Sequence, residues 1–380
     1  MSESNSKPDT PPAGAGLEGV VALGTEICDI DGQKGKLVYR GYEIEDLARN
    51  CTFEEVSYLL WNKELPNREE LSQLNRALAA ERILPPMVHD VLAMTPEDAN
   101  PMAVLRTAVS ALALFDSQAD DMSPAANYQK AIRLTARIPT ILTAFDRRRR
   151  GLEPLHPLRD RSTAANFLYM LHGEEPGEAA ERTFDACLVL HAEHGLNAST
   201  FAARVIGATL SDVYSAISGA IGALKGPLHG GANIKVMEML AEIDRSGSDP
   251  AQWVLEKLRN KERIMGFGHR VYKTLDPRAA ILREMTDALS SERGSRKWYD
   301  MSIVIMETVE KEKGLYPNVD FFSASVYGTL EIPTDLFTPI FALSRITGWT
   351  AHLLEQWVDN RLIRPRAAYS GPTGKSTGRG

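Results

Sequence analysis

The stretch Gly266-Phe-Gly-His-Arg-Val-Tyr-Lys-Thr-Leu-Asp-Pro-Arg278 sets a glycine turn around His269 and closes on a helix start, Asp276-Pro277. Aspartate is a favoured N-cap and proline a favoured first helical residue. Two nucleotide loops are close to this pattern, and it matches neither. Lys273-Thr274 ends it like a phosphate loop, but Tyr272 stands where a glycine must precede the lysine. Gly266 and Gly268 open it like a dinucleotide fingerprint, but Val271 takes the third glycine position and no parallel-sheet pattern surrounds it. The α/β folds that such loops announce are therefore set aside. A helix start presents unpaired N–H groups and positive dipole charge, which an anion satisfies. Arg278 in that first turn opposes the dipole, so it is either solvated or separated from the helix end by something negative. Taken alone, the residues leave both readings open.

Outward from this stretch, the signals are helical. Thr52 with Glu55 and Asn67 with Glu70 form capping boxes, while Asn100-Pro101, Ser123-Pro124 and Asp249-Pro250 repeat the cap-plus-proline start. A long helix is expected from Pro124 to near Gly151, kinked at Pro139. Further helices are expected from Ser162 to Gly173 and from Glu178 to His194. Another is expected across Asn197–Leu224, where Gly207, Gly219 and Gly222 suit close helix–helix approach, in a buried position or at a subunit interface. Gly226–Asn233 breaks the run and reads as a domain boundary. Ile234–Ile243, Pro250–Arg259, Pro277–Arg293 and Lys297–Lys313 follow, and a closing apolar stripe includes Leu336, Ile340, Ile346 and Trp357. Only Gly19–Tyr39 has a hairpin-like pattern. The expected class is all-α with a small N-terminal β element.

At 380 residues the chain can bury one large core or two modest ones. No apolar run approaches the roughly 18–20 residues that span a membrane. Met1–Gly16 carries no hydrophobic stretch, so a disordered tail rather than a secretory signal is expected, with a second flexible tail at residues 371–380. Cys28, Cys51 and Cys187 are odd in number and far apart, which fits a reducing cytoplasm. A net charge of −7 disfavours general nucleic-acid binding. Arg147–Arg150 reads as a solvated helix end, favoured by the dipole. Against the acidic background, Lys257–Arg278 holds seven Lys and Arg residues and two acidic ones, a local +5 that suggests a polyanionic ligand.

The candidates for chemistry are few. His229 and His269 each lie beside glycines that let a ligand approach, and have little packing to do. Asp320 precedes Phe321-Phe322, and apolar surroundings raise a carboxyl pKa and its basicity. Arg345 lies in an apolar stripe and needs an anion if buried. His191 and His194 are three apart but lack a third metal ligand. His191 is expected to pack, and His194 either to hydrogen-bond at the helix end or to contact an anion, kept cationic by the helix C-terminus. His352 reads as structural. Arg364 and Arg366 bracket Pro365. Such a set suits enolate chemistry on an activated acyl group condensing with a di-acid.

Six segments in order, His191–His194, Gly226–Gly231, Gly266–Arg278, Asn318–Phe322, Ser344–Trp349 and Arg364–Arg366, resemble the citrate synthase family across nearly the whole chain. The resemblance implies a multi-helical two-domain fold: a large domain from residues 17–230 and 332–370, and an inserted small domain, 231–331, that closes over substrate. It implies a cytoplasmic homodimer of the tricarboxylic acid cycle that needs no cofactor or metal and binds neither nucleic acid nor membrane. His229, His269 and Asp320 would be catalytic. His194, Arg278, Arg345 and, from the other subunit, Arg364 would bind oxaloacetate. Lys273 and Ile264, Met265, Gly266, Phe267 and Gly268 would face CoA. The alternatives are 2-methylcitrate synthase, which takes propionyl-CoA, and a non-catalytic helical dimeric scaffold.

Overall fold

Caps written into the sequence start the helices. Thr52 and Glu55 close a capping box on Phe53–Asn62, as Asn67 and Glu70 do on Arg68–Glu81. Asn100, Ser123, Asp249 and Asp276 each accept a first-turn amide of a helix whose first residue is proline. The computed structural model describes residues 15–17, 19–269, 271–367, 369 and 371–378. Arg270 and nearly all of the N-terminal tail lie outside the described residues. Among the described residues there are sixteen α-helices and one antiparallel sheet of β1 (Cys28–Asp31), β2 (Lys36–Tyr39) and β3 (Tyr42–Glu43). The all-α expectation holds, with a third short strand added to the hairpin.

Two long helices, Pro124–Arg149 and Phe337–Val358, pack together at the centre. Their apolar faces, with Ile138, Ile141, Phe145, Ile340, Ile346 and Trp349, are lost almost entirely to water. Removing that area supplies the main drive for folding, at about 25 cal/mol per Å². The first helix is continuous with Pro139 inside it. At its end Arg149 and Arg150 pair with the fully buried Asp146, and Arg149 also with Asp335. Those ion pairs occupy Arg149 and Arg150, so this half of the arginine run is paired rather than simply solvated. The helices Ala232–Ser246, Pro250–Arg259, Pro277–Glu292, Lys297–Lys313 and Val319–Thr329 pack mainly among themselves, and Pro277–Glu292 also lies on Glu178–His191.

Two expected boundaries are corrected. Asn197–Leu224 is not one helix but two, Ala198–Gly207 and Val213–Leu224, packed on each other. Leu210 adopts a left-handed φ of 64°, and Asp212 caps the second helix through Ser215 N–H. Gly219 serves the contact between the two halves, since a Cβ there would lie 2.2 Å from Ile206 Cδ1, while Gly207 admits Leu353 of the last helix. The helix from Glu178 stops at His191, not His194. There Tyr39 bonds the Glu193 carbonyl at 2.7 Å and the Val189 carbonyl at 3.3 Å, drawing the chain out of helical register.

The β1–β2 turn reaches the His269 loop. Lys273 N–H donates to the Gly32 carbonyl at 2.9 Å, and a Cβ on Gly32 would lie 2.2 Å from the Val271 carbonyl oxygen. Both atoms are backbone, so only movement of hairpin or loop relieves the clash. Gly32→Ala is expected to cost about 1–3 kcal/mol. It should also speed amide exchange at Lys273; denaturant titration and hydrogen exchange check the two effects.

Candidate active site

Five segments meet around the site: the loop after His191, the turn 226–231, the loop 260–276, the start of Val319–Thr329 and the middle of Phe337–Val358. His194 Nε2 lies 3.1 Å from the Tyr272 hydroxyl. The His194 and His269 rings are 5.4 Å apart, His269 and Tyr272 4.8 Å, and the Arg278 guanidinium sits 5.8 Å over the Tyr272 ring. His194, His269 and Arg278 are thus gathered at one point.

The hydrogen bonds fix which nitrogen of each histidine carries the proton. Val271 N–H and Tyr272 N–H both donate to His269 Nδ1, at 3.0 and 3.2 Å. Nδ1 is therefore an acceptor and the proton of a neutral ring is on Nε2. Ser199 N–H approaches His229 Nε2 at 3.3 Å and its hydroxyl at 2.8 Å, while Trp349 Nε1 donates to that hydroxyl at 3.1 Å. With Nε2 accepting, the His229 proton is on Nδ1. Burial, then nearby positive charge, lowers both rings to about 4: Arg278 first for His269, Arg345 for His229. Both are neutral donors near pH 7.

His194 corrects an expectation. It lies three residues beyond the helix, and burial, then Arg278 and Arg345, hold it well below the usual histidine range. It is neutral, not kept cationic by a helix end. His191 packs as expected: it is fully buried, its Nδ1–H donates to the Cys187 carbonyl at 2.7 Å, and its ring meets Phe341 edge-on at 5.1 Å.

Arg278 has found its anion inside the protein. Its Nε and Nη2 bond Asp276 Oδ1 and Oδ2 at 3.0 and 2.8 Å, both residues buried. The negative group between arginine and helix end is the N-cap itself. Asp276 Oδ2 also accepts from Val319 N–H at 3.2 Å, tying this helix start to the one that bears Asp320. Arg345 is buried on the Phe341 ring at 4.6 Å, with Nε donating to the His191 carbonyl at 2.7 Å. Among the described residues it has no ion pair, and burial lowers its pKa.

Asp320 is the second residue of its helix, not the cap; Asn318 caps, accepting from Asp320 N–H at 3.1 Å. Burial pushes its carboxyl up to about 6, against the opposing pull of Arg278. Its basicity was legible from Phe321 and Phe322.

The remaining candidates are more dispersed. Ile264 is buried in the core, and Gly266, at φ 84°, would drive a Cβ to 2.8 Å from Phe321 and Val236. Phe267 packs on Phe321 at 4.7 Å, and the Gly268 carbonyl accepts from Asn318 Nδ2 at 3.0 Å. Met265 is half-buried against the core. Lys273 lines a cavity of about 250 Å³ together with His269, Tyr272 and Tyr316. Arg364 is exposed beyond the last helix and is not brought to the other groups within the chain. Residue-by-residue reading missed Ser199, Asp276 and Tyr272. Tyr272 and Asp276 lie inside the opening motif, but neither lone residue signals a partner held by backbone folding.

The pKa shifts have opposite consequences for stability. His191, His194, His229 and His269 are lowered, so each contributes stability that is present above about pH 6.5 and lost as pH falls below it, for His229 and His269 down to about 4. Asp320 is raised, so its contribution is present below the ordinary carboxylate pKa and lost as pH rises through about 6. Asp320→Asn should therefore gain stability relative to the parent between pH 4 and 8, by roughly 2–3 kcal/mol. Calorimetric unfolding of both proteins across that range checks the sign.

Similarity to known proteins bears on the fold and family. The family model for the citrate synthase C-terminal domain matches residues 16–366. Citrate synthase 2 of Bacillus subtilis is 55% identical over 359 residues, 94% of this chain and 95% of that protein. The 2-methylcitrate synthase of Mycobacterium tuberculosis is 45% identical, covering 94% of this chain and 90% of its own. The Thermoplasma acidophilum citrate synthase, solved with carboxymethyl coenzyme A and oxaloacetate, superposes with a TM-score of 0.87 at 35% identity, over 95% of this chain and 97% of that one. A family model matched across residues 16–366, similarity over nearly the full length and a helical fold of the same course place this chain in the citrate synthase family.

Proposed function

We propose that this chain condenses acetyl-CoA with oxaloacetate and water to give citrate and CoA. Asp320 takes a proton from the acetyl methyl, and His229 Nδ1–H donates to the oxygen on which the enolate charge develops. The enolate carbon attacks the oxaloacetate carbonyl, whose oxygen is polarised by His269 Nε2–H and becomes the citrate hydroxyl. Water then cleaves the citryl thioester and releases CoA. His194, Arg278 and Arg345 bind the oxaloacetate carboxylates, and Arg364 of the partner subunit completes the set. Lys273 and the loop Ile264–Gly268 face CoA. Residues 231–331 close as a small domain over 17–230 and 332–370, excluding water and strengthening each hydrogen bond. The protein works as a homodimer in the cytoplasm, without a metal.

One observation carries this reading: a carboxyl raised to about 6 that shares the Arg278 and Arg345 charges with two histidines, which their own hydrogen bonds hold as neutral donors. A base near the working pH and preorganised donors for a forming oxyanion are what thioester enolisation requires. The relative solved with both a CoA analogue and oxaloacetate supports the substrate pair. Propionyl-CoA is the alternative acyl donor, favoured by the similarity to the Mycobacterium tuberculosis enzyme. One methylene shifts such a preference by only about 1–3 kcal/mol.

Asp320→Asn is expected to fold and to lose about a thousandfold in kcat. Thiol release measured with acetyl-CoA and with propionyl-CoA tests both base and acyl preference; unchanged turnover would remove Asp320 from its role, and higher kcat/KM with propionyl-CoA would reverse the preference. Co-expressing Arg364→Ala with Asp320→Asn tests the shared site. Each is inactive alone, and the hybrid dimer regains one intact site if Arg364 acts across the interface. No recovery in the purified hybrid would confine Arg364 to its own chain.

A further inference from the structure

The buried charges around Arg345 include one that the condensation does not use. Glu193, fully buried, follows His191 and Ala192 and immediately precedes His194. Its Oε1 accepts from His352 Nε2 at 3.1 Å, while its Oε2 is buried without a hydrogen-bond partner. The proton on His352 is fixed from its other side. Arg204 Nη1 lies 3.0 Å from His352 Nδ1, and a guanidinium only donates, so Nδ1 accepts and Nε2 carries the hydrogen. The positive charge of Arg204 is taken by Glu355 at 2.8 Å. Among the described residues, Glu193 Oε2 is thus left with neither a hydrogen-bond donor nor a cation in contact with it.

The helix Phe337–Val358 aims that charge. Arg345, Gly348 and His352 follow one another at spacings of three and four, on one helical face. A Cβ on Gly348 would lie 2.3 Å from both Glu193 Oε2 and the Ala192 carbonyl oxygen. The orphan oxygen therefore rests on the helix between His352 and Arg345. Tyr39 holds the Glu193 backbone, its hydroxyl 2.7 Å from the carbonyl and 3.2 Å from the amide nitrogen. Arg345 in turn grips the His191 carbonyl. Of the groups that favour the charged form of Arg345, Glu193 acts most strongly.

We propose that Glu193 is a positioning residue that serves as the counter-ion of Arg345 in the empty site and that His352 restrains, so that the oxaloacetate carboxylate can take its place. The proposal rests on the reading that Arg345 binds that carboxylate. A buried cation needs a negative partner at every stage. An anion held at a distance balances Arg345 without occupying its substrate-facing N–H groups, whereas a carboxylate in direct contact would compete with the substrate.

Two substitutions shift affinity in opposite directions, which general damage to the fold would not do. In Glu193→Gln the amide keeps the His352 contact and loses the charge, so oxaloacetate becomes the main counter-ion and its Kd falls, roughly tenfold. Its melting temperature drops without ligand and recovers with oxaloacetate, while Glu193→Asp, which keeps the charge, stays near the parent. His352→Leu releases the carboxylate to pair with Arg345, and Kd rises about as far; His352→Gln, able to accept from Arg204 and donate to Glu193, stays near the parent. Calorimetric titration with oxaloacetate alone, together with KM and kcat, reads each case. Unchanged or weaker binding in Glu193→Gln, or unchanged binding in His352→Leu, overturns the counter-ion role. Failure of the unsubstituted protein to bind oxaloacetate would instead overturn the reading beneath it.

Discussion

The buried pair between Arg278 and Asp276 is the contact on which the site depends. Asp276 caps the helix Pro277–Glu292, binds the guanidinium two residues on and accepts the Val319 amide. One carboxylate therefore fixes the end of the His269 loop, the direction of an arginine and the start of the helix that bears Asp320. A pair so deeply buried contributes little net stability, because desolvation offsets most of the attraction. Losing one partner costs far more, since the other charge is stranded. The geometry is held by that asymmetry.

The same cluster decides protonation, and burial outweighs charge at the key group. Arg278 and Arg345 both pull Asp320 down, yet desolvation leaves it at about 6. For the histidines the two influences act together, so His194, His229 and His269 are all lowered. The result is a division of protonation within the candidate site: one carboxyl raised towards neutral pH, and neutral rings that can donate hydrogen bonds.

Support for this cluster comes from distant parts of the chain. The Gly32 carbonyl holds Lys273, Tyr39 turns the chain out of the helix at Glu193, and Trp349 and Ser199 orient His229. The small N-terminal sheet is thus a brace for two loops of the candidate site. The helix Phe337–Val358 supplies Arg345, Gly348, Trp349 and His352 from one continuous element whose centre is buried.

Local signals determined much of this protein. Capping residues and prolines set the helix starts, and the glycines around His229 and His269 with the phenylalanines after Asp320 marked the candidates for chemistry, because each effect acts within a few residues. The order of six segments identified the family. The sequence did not show where the Glu178 helix ends, because Tyr39 lies 150 residues away from the carbonyl it takes. Nor did it show that Asn197–Leu224 folds back on itself. For the opening stretch, Gly266–Arg278, sequence alone left Arg278 between solvent and an unknown anion. Only the tertiary structure, by burying it on its own N-cap, decided that the anion is Asp276, since burial and partner geometry come from the assembled chain rather than from spacing.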